Sequence, residues 1–193
     1  MNKRLISKLM HERITNLQST ERYFFKNDFK YILRGVALEY VPRGLYIWEF
    51  RFPLFDFFGP NLLYSSRLLQ RGGFIGKGEM TEDEIVNFVI SSCEVQNAFK
   101  FYKYSEVLDF IRYLESTPNL LRNTHAKLIY AAALLLDGQD SCAMNMLNEL
   151  AVATLNEKDA VSCDLLRKTL REGVDEACAL LNCVRQKNLQ ALT

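Results

Sequence analysis

The thirty residues Glu39–Leu68, EYVPRGLYIWEFRFPLFDFFGPNLLYSSRL, decide how the rest of the chain is read. Pro42-Arg43-Gly44 is a turn signal between two strand-like runs. The run before it, FKYILRGVALEYV (29–41), is rich in β-branched and aromatic residues, and the run after it, LYIWEFRFPLF (45–55), alternates. The pair predicts a β-hairpin. Side chains alternate along a strand, so Trp48, Phe50, Phe52 and Leu54 share one face and Ile47, Glu49 and Arg51 share the other. The aromatic face is expected to be core. Pro53 cannot donate to a ladder and marks an edge, a bulge or the strand's end. LLYSSRLL (62–69) is a third strand candidate, and QRGGFIGKGE (70–79), with glycines at 72, 73, 76 and 78, is expected to be a loop.

Working outward, Ile6, Leu9, Met10, Leu17 and Phe24 recur at roughly helical intervals, which predicts an amphipathic helix over 4–26. From Thr81 the pattern is helical to the end. Thr81 and Glu84 have capping-box spacing, with Glu82 and Asp83 near the positive helix N-terminus. Further helices are expected over 104–116, 123–136, 140–155 and 158–188, the last broken near Gly173. Pro118 and the turn Asp137-Gly138-Gln139-Asp140 separate them. The expected fold is α+β: an N-terminal helix and a small antiparallel sheet of three or four strands, packed on a C-terminal helical bundle. The organisation expected is 1–80 for helix and sheet and 81–193 for the helical region, together forming one compact unit.

The composition, 49% hydrophobic and 24% charged over 193 residues, is that of a folded globular chain. A net charge of +1 gives no global argument for nucleic acid or a membrane surface. The charge is unevenly spread: residues 1–34 hold eight Lys/Arg against three Asp/Glu, and residues 81–193 hold eleven against sixteen. Five cysteines with no Cys-x-x-Cys pair read as reduced, mostly buried thiols of a cytoplasmic protein. Lys8, His11 and Glu12 interrupt the apolar positions of the N-terminus, so neither a signal peptide nor a membrane span is expected.

Candidate chemistry is thin. His11 and His125 lie in helical patterns with no Cys, Asp or Glu at metal-ligand spacing, so no metal site and no cofactor is expected. The glycine segment lacks the phosphate-loop pattern and precedes four acidic residues. No catalytic residue is assigned. What remains is the charged face of the hairpin. Glu49 and Asp56 could act as acid or base if burial shifted their pKa values, but neighbouring arginines would hold them ionised. Cross-strand ion pairs on the face opposite Trp48 are the simplest reading. The alternative is a recognition surface of Arg34, Arg43, Tyr46, Glu49, Arg51, Tyr64 and Arg67, residue types favoured at binding hot spots. Single-stranded nucleic acid is disfavoured, because stacking platforms need arginines and aromatics on one face.

Two resemblances follow. Around the Asp137–Asp140 turn, Ala131 and Ala143, with Leu134 and Leu147 a turn further on, resemble one helical hairpin of the tetratricopeptide type over about 30 residues, without a second copy. The order of a helix, a short sheet marked RGLYIWEFRFPLFD (43–56) and a helical remainder resembles small cytoplasmic bacterial proteins, including the immunity type of toxin systems. That resemblance implies a non-catalytic protein that binds another protein, such as a toxin, as an immunity or adaptor protein. An enzyme or nucleic-acid-acting protein using Arg34, Glu49, Arg51 and Arg67 is the alternative.

Overall fold

The computed structural model describes residues 1–20, 22–26, 29–59, 61–99, 106–153 and 156–192. The fold is α+β, and the chain divides into two units. The first is Met1–Phe52 with Tyr64–Phe101, and the second is Pro53–Leu63 with Tyr102–Thr193.

In the first unit, helix α1 spans Lys3–Arg13. The Asn2 side chain caps it by accepting from the Leu5 N–H, and Ile6 and Met10, one turn apart, are fully buried. The helix stops well short of the stretch its apolar spacing suggested. Asn16 takes a left-handed backbone (φ 59), a conformation asparagine tolerates. Beyond it lie two short antiparallel strands, β1 (Leu17–Thr20) and β2 (Tyr23–Lys26). Leu17 and Phe24 are seven residues apart, a spacing that serves two helical turns or two paired strands alike. The aromatic run Tyr23-Phe24-Phe25 favours the strand once a sheet is there to pair with. Glu21, within that expected helix, lies outside the described residues.

Strands β3 (Ile32–Val41) and β4 (Gly44–Pro53) form the expected hairpin about Pro42-Arg43. Strand β5 (Ser65–Arg67) then pairs with β4, as does β6 (Phe74–Gly76), in a segment expected to be a loop. Arg71, Gly72 and Gly73 all have positive φ and turn the chain back onto β4. At Gly73 a Cβ would stand 2.8 Å from the Ile47 carbonyl oxygen, so only glycine fits this approach. The sheet among the described residues thus has six strands, in the order β1-β2-β3-β4-β5 with β6 also on β4.

The core of this unit lies on the face opposite to the one expected. Leu45 and Ile47 of β4, Val36 and Leu38 of β3, and Ile75 of β6 are buried with Ile6 and Met10 of α1. Helix α2 (Glu82–Ser91) adds Ile85, Val86 and Val89, and both halves of the Thr81/Glu84 capping box form. Helix α3 (Cys93–Ala98) contributes Val95. The helices therefore cover the aliphatic face, where branched side chains pack closely against a pleated sheet. Trp48, on the other face, is only part-buried, although Phe50 and Phe52 farther along that face are buried.

The second unit holds helices α4 (Glu106–Ser116), α5 (Thr124–Leu136), α6 (Asp140–Ala151), α7 (Glu157–Glu172) and α8 (Val174–Leu192), each packed on the next. Residues 104, 105, 154 and 155, included in two expected helices, lie outside the described residues. Gly138 (φ 79) turns α5 into α6, and Ala131, Leu134, Ala143 and Leu147 are buried in this pair. Gly173 ends α7, and α7 and α8 make a further packed pair. None of the described helices is long and apolar enough to cross a membrane.

Candidate functional site

The pairing of β4 with β5 and β6 sets Arg67 opposite Trp48 and Phe74 opposite Tyr46. Directly opposed residues share a face, so a cation and three aromatic rings meet on the side away from α1 and α2. The Arg67 guanidinium lies 4.1 Å from the Tyr46 ring centroid and 4.8 Å from that of Trp48. Tyr46 and Phe74 pack with centroids 4.7 Å apart. The Trp48 indole N–H donates to Glu39 at 3.0 Å, which orients the ring. All three rings are part-buried, whereas Arg67 and Arg43 are exposed. Val41, Pro42, Arg43, Tyr46 and Phe74 line an open cleft of about 450 Å³ beside this stack.

Single-stranded nucleic acid was disfavoured because the arginines and aromatics of the hairpin alternate to different faces, and Arg67, brought by β5 onto the face of Tyr46 and Trp48, overturns that argument. Contact with ring faces stabilises the cation by roughly 0.5–1 kcal/mol at an exposed site but satisfies none of its five N–H donors. Among the described residues neither Arg67 nor Arg43 has a carboxylate within ion-pair distance.

The other candidate charges gather on the opposite face. Glu49 is 3% exposed and lies between Arg51 (3.1 Å) and Arg34 (3.7 Å). These are ion pairs on the face opposite Trp48, as the alternation suggests. Burial pushes the Glu49 carboxyl above its ordinary range, while Arg51, Arg34 and a hydrogen bond with Ser66 pull it down. Burial wins, so the arginines do not hold this carboxylate at or below its usual value. Tyr64 is fully buried and presents no surface.

A second polar cluster, in the second unit, was not foreseen. After β4 the chain turns twice, with the Asp56 N–H donating to the Pro53 carbonyl and the Gly59 N–H to that of Asp56; Asp56 Oδ1 accepts from the Phe58 N–H (2.9 Å) and Asp56 Oδ2 from the Asn61 amide (2.9 Å). Rather than pairing with the arginines of the sheet, Asp56 meets His125 in the first turn of α5, with Nε2 3.0 Å from Oδ2. Asp159, in the first turn of α7, takes the other ring nitrogen, with Nδ1 2.9 Å from its Oδ1. Both carboxylates are buried, at 0% and 1% exposure, and Phe58 stacks on the imidazole at 4.5 Å. Asn188 of α8 donates to the carbonyls of Leu54 (2.7 Å) and Asp56 (2.8 Å), tying the turn to a third helix. Burial alone would lower the His125 pKa, but hydrogen bonds and charge from Asp56 and Asp159 outweigh it and the pKa is raised. Both nitrogens face carboxylates, so the protonated ring can donate twice, which is why these partners favour the charged form. One signal was present in the sequence: Asp56 is a lone charge inside Leu54-Phe55-Asp56-Phe57-Phe58. A carboxylate buried in such a run requires a partner.

The thiols also differ from expectation. Cys93, Cys142 and Cys183 are exposed, Cys178 is intermediate and Cys163 alone is buried. Apolar neighbours in sequence do not set helical phase. Cys142 faces outward while the adjacent Ala143 faces in. Among the described residues no group of His, Cys, Asp and Glu is arranged to hold a metal ion. Compared with protein-family models, curated proteins and solved structures, the chain matches none.

Proposed function

We propose that this chain is a non-catalytic protein-binding protein of the immunity or adaptor kind, working in the bacterial cytoplasm, and that it meets its partner through the Trp48 face of the sheet. The observation that carries the reading is Arg67 stacked on Tyr46 and Trp48 beside an apolar cleft. The few residues that carry most of the binding energy at protein interfaces are enriched in Trp, Tyr and Arg, which remove much area from water and keep polar tips for hydrogen bonds. Catalysis is the weaker reading. Glu49 is enclosed by two arginines, and neither nitrogen of His125 is left to exchange a proton with a substrate.

Capture from host lysate on the wild-type chain and on Arg67→Ala tests the reading. A specific protein held by wild type and lost from a folded variant supports it. Recovery that is equal on both, or absent, counts against it. An adjacent toxin gene whose product is captured and neutralised would identify the immunity role. A second reading, single-stranded nucleic acid, gains from the same stack of cation and rings. Titration with single- and double-stranded nucleic acid at two salt concentrations separates the two, since phosphate contacts weaken steeply with salt.

A further inference from the structure

We infer that the partner segment seated on this face is an acidic peptide stretch, with carboxylates meeting Arg67 and Arg43 and an adjoining apolar side chain entering the cleft lined by Val41, Pro42, Tyr46 and Phe74. The inference rests on the protein-binding reading and specifies the chemistry of its partner.

The cleft sets the apolar half of the match. Its walls are Val41, Pro42 and the rings of Tyr46 and Phe74, and at about 450 Å³ it has room for more than one aliphatic or aromatic side chain. The charges set the other half. Arg43 lies in the cleft wall and Arg67 on the neighbouring rings, both exposed and, among the described residues, without a carboxylate partner. The carboxylate that the face does hold, Glu39, is engaged by the Trp48 indole N–H. A third guanidinium, Arg22, lies 5.0 Å from the ring of Tyr23, which packs edge-on against Phe50 farther along the sheet. The face is therefore cationic on a chain whose net charge is only +1. A neutral or basic segment docking here would strip water from Arg67 and Arg43 and return no charge-assisted bond, a penalty that selects against it. An acidic segment restores those bonds, and a carboxylate can meet a guanidinium through two parallel hydrogen bonds. Nucleic acid is anionic too, and the rings could stack on a base, but its regularly spaced phosphates need a groove of cations along the strand, and the guanidiniums at the cleft are the pair Arg43 and Arg67.

The test uses the intact chain and its single tryptophan, which stands in the site. A random peptide library displayed on phage is selected on the wild-type chain, and synthetic copies of the enriched peptides are titrated while Trp48 emission is followed. The expected peptides place Asp or Glu beside Phe, Leu, Ile or Met. Asn/Gln copies of their acids, and the Arg67→Ala and Arg43→Ala variants, should each weaken binding at least about tenfold, as loss of a hot-spot contact does. Arg67→Lys keeps the charge and should retain part of the affinity, and the unfolding midpoint of each variant checks that it folds. Enriched peptides without acids, amide copies that bind equally well, or an oligothymidylate 12-mer that binds more tightly than any peptide would overturn the inference. A lysate partner that depends on Trp48 but not on carboxylates would remove this inference alone. If no peptide is enriched and no protein is captured, both readings fail.

Discussion

The two units each bury a triplet of charges, arranged in opposite senses. In the sheet unit one anion, Glu49, lies between two cations, Arg34 and Arg51. In the helical unit one cation, His125, lies between two anions, Asp56 and Asp159. The first triplet comes from a single hairpin, its arginine side chains keep 13% and 21% exposure, and guanidinium charge is fixed across the accessible pH range. The second joins residues 56, 125 and 159, and its carboxylates are shut off from water. A local cluster stabilises one supersecondary element, whereas a long-range cluster closes a whole tertiary unit and can titrate. In both triplets the charged groups face one another, whereas Arg67 on the Trp48 face meets only aromatic rings.

The largest expected effect lies in the second triplet. His125→Ala leaves two buried carboxylates without their cation and should cost about 3–5 kcal/mol in denaturant unfolding. Glu49→Gln leaves arginines that still reach water and should cost only about 1–2 kcal/mol. Equal losses would break the contrast between the units.

The two clusters differ in legibility for the same reason. Alternation along β4 places Glu49 and Arg51 on one face from sequence alone, because strand geometry fixes their relation. Asp56, His125 and Asp159 are related only through the packing of the turn at Asp56 on α5 and α7, and no short-range period encodes that. Helix patterning from Thr81 onward was readable because caps and breakers such as Thr81, Gly138 and Gly173 act locally. The small strands β1, β2 and β6 were not. Each has three or four residues and exists because a neighbouring strand pairs with it. Which face of β4 becomes core is likewise a tertiary outcome. Both faces are apolar enough to serve, and α1 and α2 settle on the aliphatic one. Arg67 among the rings follows from the register of β5, which no turn residue announces.

Titration sharpens the comparison next. The folded-state pKa of His125 lies above its unfolded value of 6.5, so its contribution is complete below that pH and is lost as pH rises through the folded value. The stability difference between wild type and His125→Gln should therefore shrink as pH rises above the unfolded value and through the raised folded one. A difference that grows with pH would mean that the ring is held neutral.

Smaller again is the effect expected at Trp48. Trp48→Ala should cost about 1–2 kcal/mol, less than the 3–5 kcal/mol of a fully buried aromatic, because the ring is part-exposed. Arg67→Ala should change stability by no more than about 1 kcal/mol while reducing partner binding far more. The thiols give a readout without mutation. Cys93, Cys142 and Cys183 should be modified quickly in the folded chain, and Cys163, whose thiol pKa is raised chiefly by burial, only after unfolding.

Acrylamide quenching of the emission of Trp48, the chain's single tryptophan, separates a place on a contact surface, as proposed, from a place in the core. On the proposed surface, Trp48 should be clearly quenched in the native free protein, less than in the unfolded chain, and further protected when the partner or a selected acidic peptide is bound. Native emission that acrylamide does not quench, unchanged by any ligand, would place Trp48 in the core and rule out a contact surface there.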